Sequence, residues 1–74
     1  MASVIDKIDQ LREKEQETLS EHEVATEKYH ECRHQGDKMG QQIWLDRLRE
    51  LGILIYELRR QIGELMNLLA EEAK

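Results

Sequence analysis

MGQQIWLDRLRELGILIYELRRQIGELMNLL, residues 39–69, carries one unbroken apolar rhythm. Its seam is Trp44, Leu48, Leu51, Ile55, Leu58, Ile62, Leu65 and Leu69, with steps that alternate between four and three residues. That spacing keeps one stripe of an α-helix turned toward a neighbouring helix. The stripe is wider than a two-stranded coiled coil needs. Leu45 and Met66 border it on one side and Leu54 and Leu68 on the other, with Ile43 and Ile53 further round. An arc this broad predicts more than one packing neighbour, as in a helical bundle.

The rest of the chain has to be arranged around this helix. With 74 residues, 36% of them charged and neither Phe nor Pro, the chain makes one small domain, residues 1–74, of helical composition. No segment of useful length alternates apolar and polar residues, so β-structure is not expected. A two-helix unit of this size encloses little core, and Cys32 is the only cysteine, so no internal disulfide can reinforce it. Self-association, at least to a homodimer, is the expected remedy.

Toward the amino end, Ser3 suits the cap of a first helix, with Asp6 three residues on. The pattern continues through Val4, Ile8 and Leu11, and later Ala25, Tyr29 and Cys32, again at steps of four and three. Between them the seam positions hold Glu15, Thr18 and His22, so this helix is apolar at both ends and polar in the middle. The break falls at HQGDKMG, residues 34–40: Gly36 suits the left-handed residue that closes a helix, and Asp37 the cap that opens the next. The seam also slips by one residue there, which a continuous rod would have to absorb, and Gly40 weakens the region further.

These signals predict an all-α antiparallel hairpin, with helices over about 3–35 and 38–72. Folding the arms about the turn makes facing positions sum to roughly 73. Val4 then meets Leu69, Ile8 meets Leu65, Leu11 meets Ile62, and Tyr29 meets Trp44 as an aromatic lock beside the turn. At the centre, Glu15, Thr18 and His22 face Leu58, Ile55 and Leu51. That poor match predicts that the central seam needs another chain's second helix, giving a dimeric four-helix bundle. Gly52 and Gly63, three turns apart on one face, are expected to allow a close approach between helices, the alternative being that they only loosen the helix.

Chemistry-bearing patterns are few. His30-Glu31-Cys32-Arg33-His34 fits the H-E-x-x-H spacing by which zinc proteases hold a metal with two histidines. The chain lacks the third ligand and the cleft such enzymes need, and a solvated helix end accounts for the residues. Glu27-x-x-His30 and Glu31-x-x-His34 repeat the E-x-x-H spacing of di-metal bundles, but beside the seam instead of on it. No metal is assigned; Glu27, Glu31, His30 and His34 stand as the alternative, metal-binding reading. His22 is expected to be tolerated at a wet bundle centre, with pH-sensitive assembly as the functional alternative. No phosphate loop, Ser-His-Asp arrangement or cofactor box is present, so no catalytic residue or cofactor is expected and the chain is not taken for an enzyme.

Charge narrows the partners. The net charge is −5, and residues 1–36 hold nine acids against five bases. Neither half offers a basic surface for nucleic acid or anionic membrane. The opening MASVIDKIDQ has no apolar core of a secretory leader, no stretch is long enough to span a bilayer, and a lone cysteine suits a reducing interior. The expected location is cytoplasmic. The expected role is a small regulatory, adaptor or scaffolding protein: a homodimeric bundle that meets an unidentified protein partner. An acidic decoy for a nucleic-acid-binding protein is a further alternative.

Overall fold

The computed structural model describes residues 3–72. Two helices, α1 (Val4–Gln35) and α2 (Lys38–Glu72), pack against each other as an antiparallel hairpin. The rod measures 57 × 16 × 15 Å between Cα extremes, with a radius of gyration of 16.8 Å. A compact chain of this length would have about 11 Å. The hairpin is therefore long and only two helices thick.

Local chemistry explains where the helices start and stop. The Ser3 hydroxyl accepts the Asp6 backbone N–H at 3.1 Å, and the Ser3 backbone N–H donates to the Asp6 carboxylate at 3.4 Å, which forms a capping box. At the other end of α1, Gly36 takes φ 72°, a conformation that a Cβ would strain. Its N–H donates to the Arg33 carbonyl at 3.3 Å, and that of Asp37 to the Cys32 carbonyl at 2.9 Å, the double bond of a Schellman closure. Asp37 then opens α2 by accepting the Gly40 N–H on its carboxylate at 2.9 Å.

Gly40 has a role that the sequence pattern does not reveal. A methyl group there would lie 2.6 Å from Cys32 Sγ and would also collide with the Asp37 carboxylate. The glycine is where the two helices come together beside the turn, instead of a mere weakening of α2.

The centre of the hairpin corrects a second expectation. Leu51, Ile55 and Leu58 do not wait for another chain: Leu51 and Leu58 are 2% and 3% exposed within the single hairpin, and Ile55 and Ile62 are also buried. The buried residues of α1 are Ile8, Thr18 and Ala25. Thr18, only 4% exposed, donates its hydroxyl to the Lys14 carbonyl at 2.7 Å, which leaves its methyl group for the core. Glu15 sends its carboxylate out to Arg59 at 2.8 Å, and its methylene stem stays half-buried at the seam. His22 is half-buried, and its backbone carbonyl accepts the Thr26 hydroxyl at 2.9 Å. By residue type the middle of α1 is polar; by atom it is apolar enough to close the seam. Among the described residues no buried side-chain nitrogen or oxygen lacks a partner.

Candidate functional site

With the inward face of α2 closed, its remaining apolar residues point elsewhere. Tyr56 and Ile53 are 68% and 67% exposed, and Ile43, Leu54, Met66 and Leu68 are exposed as well. On α1 only Val24 and Ile5 compare with them. Of the seam predicted as core and dimer interface, Leu51, Ile55, Leu58 and Ile62 are buried, and Trp44, Leu48, Leu65 and Leu69 are half-buried. Leu54 faces solvent. A large exposed apolar side chain costs little alone, and these are spread round the outer faces of α2.

Two interhelical ion pairs divide the rod into two flanks. On one, Arg59 reaches Glu15 at 2.8 Å, and the Arg12 guanidinium approaches Met66 Sδ at 3.9 Å. On the other, Arg47 reaches Glu21 at 3.2 Å, beside a shallow cleft lined by Ser20, Val24, Ala25 and Trp44. The facing numbers of the ion pairs straddle the expected sum, so the register is that of a hairpin turning at residues 36–37. The Tyr29–Trp44 lock is not a ring contact. Among the described residues the ring pair is Tyr29 and His30, edge to face at 5.7 Å, and Trp44 covers the cleft near Ala25 instead.

Gly52 and Gly63 belong to the Arg59 flank, one heptad before Arg59 and one turn after it. A Cβ at either would meet nothing within 4 Å. The close approach expected of them is thus not to α1 of the same chain.

The outermost row of α2 is ionic. Arg60 bridges Glu57 and Glu64, both at 2.8 Å, within the helix. Its hydrogen bond to Glu57 and the two carboxylate charges raise the guanidinium pKa, which leaves a permanent cation permanent. This row places charge along the back of α2, beside the exposed Ile53.

His30, His34 and Arg33 line an open hollow near the turn, where the guanidinium brings positive charge. Glu31 pairs with Lys28 at 3.5 Å, and Glu27 is exposed. Among the described residues no group of three or more His, Cys, Asp or Glu side chains is placed to hold a metal ion. Nor, among them, is any helix long and apolar enough to cross a membrane. Comparison with protein families, with curated proteins and with solved structures finds no match to this chain.

Proposed function

We propose that this chain is a non-enzymatic protein–protein interaction module that works as a homodimer of hairpins, a four-helix bundle that regulates or scaffolds a protein partner. The observation that carries this reading is the flank of α2 that α1 leaves open, where Tyr56 is 68% exposed and Gly52 and Gly63 have free space beside them. A second copy supplies the neighbour that an arc of this breadth requires.

Surface area supports the same reading. The hairpin exposes 5918 Å², whereas a compact monomer of this mass exposes about 4,800 Å². Two separate hairpins expose about 11,800 Å², and a compact body of twice the mass about 7,900 Å². The difference, about 3,900 Å² at most, lies in the range of obligate homodimers, roughly 2,000–5,000 Å². The acidic α1, with Glu13, Glu17, Glu21, Glu23, Glu27 and Glu31 exposed, remains outside to meet a partner of basic surface.

Sedimentation equilibrium of the full chain tests this. The expected mass is twice the 8.8 kDa of one chain. A fully helical species of single-chain mass at micromolar concentration would remove the reading.

A further inference from the structure

Four residues of α2 on the Arg59 flank alternate in size: Leu45, Gly52, Tyr56 and Gly63. At 100° per residue they fall within about 40° of arc, in one straight stripe about 27 Å long. Their order is self-complementary about position 54. Gly52 and Tyr56 lie two residues on either side of that level, and Leu45 and Gly63 nine residues on either side. In each pair one member is large and the other is glycine.

We propose that two copies of this chain pair antiparallel across this stripe, on a two-fold axis level with residue 54, each Tyr56 seating over the partner's Gly52 and each Leu45 over the partner's Gly63. The inference rests on the homodimer reading above and assigns that dimer its face and register. An isologous contact requires that residue i meet j while j meets i, and a large–small order that inverts about its own midpoint is what such a contact needs. An unrelated partner would impose no mirror symmetry on the spacing of α2.

Three observations on the hairpin agree with a second copy as the occupant. Both glycines are open, with nothing within 4 Å of where a Cβ would stand, so nothing inside one chain offsets their cost in helix stability. Tyr56 stands on the same stripe 68% exposed. On α1, the Glu15–Arg59 and Glu21–Arg47 pairs bracket Leu19 and place it level with Leu51 and Gly52, within a turn of the axis. Leu19 lies one heptad from Arg12, whose guanidinium marks the same flank by approaching Met66. The axis therefore brings the Leu19 side chains of the two chains onto the same face, offset by about a turn, between the two α1 helices. Arg49 and the partner's Arg59 come opposite one another in this register; Asp46 at 3.9 Å and Glu15 at 2.8 Å already balance these charges. The area that two hairpins leave uncovered suffices for an interface of this kind.

The test is a size exchange read by sedimentation equilibrium, with helicity followed by circular dichroism. Gly52→Leu adds bulk where the hairpin has free space and raises helix propensity, so the single chain stays folded. In the dimer it meets Tyr56 twice, and the dissociation constant should rise by about a hundredfold or more. The double variant Gly52→Leu, Tyr56→Ala exchanges large for small and should recover to within about tenfold of the natural chain. A natural chain that stays monomeric overturns both the homodimer reading and this face. A dimer indifferent to Gly52→Leu overturns this face alone, and a dimer broken by Gly52→Leu but not recovered in the double variant overturns the register.

Discussion

Gly40 and Gly52 lie in the same helix, yet the hairpin treats them oppositely. At Gly40 the Cys32 thiol and the Asp37 carboxylate crowd the space a side chain would take; at Gly52 that space is empty. The same contrast holds for whole faces of α2. Its inward face, from Leu51 to Ile62, is buried against α1, and its Arg59 flank presents glycines and Tyr56 to solvent. A glycine in the interior of a helix costs about 0.5–1 kcal/mol relative to alanine. Beside the turn that cost has a visible return in the close approach of two helices. Along the open flank nothing within the hairpin offsets it. The hairpin is closed at its turn and along its seam, and open on its outer flank.

Three substitutions sharpen or break this contrast. The largest effect belongs to Ile55→Asp, which puts a carboxylate in the closed seam. It should cost at least about 4 kcal/mol and abolish the helical circular dichroism signal; retention of the signal would mean the seam is not closed within the hairpin. Gly40→Ala comes next. Its methyl group has to displace both Cys32 Sγ and the capping carboxylate, so thermal denaturation should show a loss of about 1–3 kcal/mol. An unchanged or higher melting temperature, as helix propensity alone predicts, would remove the close approach. Smallest is His34→Ala, at an exposed position without a hydrogen-bonded partner among the described residues. It should change stability by less than about 0.5 kcal/mol, with or without added zinc; a zinc-dependent shift in melting temperature that His34→Ala abolishes would favour the metal reading.

Where legibility ends follows from what each signal depends on. The helix limits are readable because Ser3, Gly36 and Asp37 act on their own neighbours, and the expected helices, about 3–35 and 38–72, agree with Val4–Gln35 and Lys38–Glu72 to within a residue. The register is readable because two seams of alternating four and three can interlock in few ways. The closed centre is not, since residue type marks Glu15 and Thr18 as polar, whereas the hairpin uses the Glu15 stem and the Thr18 methyl and sends the polar atoms to Arg59 and to the Lys14 carbonyl. Gly40 escapes for a related reason: its role depends on Cys32, eight residues away on the other helix. The open flank is half legible. The arc of apolar residues is plain, but which glycine has a neighbour depends on where α1 lies.

Chemical denaturation followed by Trp44 fluorescence, at chain concentrations spanning a hundredfold, tests most directly whether the outer flank of α2 is completed by a second copy. If native dimer is in equilibrium with unfolded chains, the midpoint rises steadily with concentration, because association stabilises only the folded form. A midpoint that stays fixed across the whole range, with full helicity at the lowest concentration, would show that one hairpin is sufficient and would contradict the account.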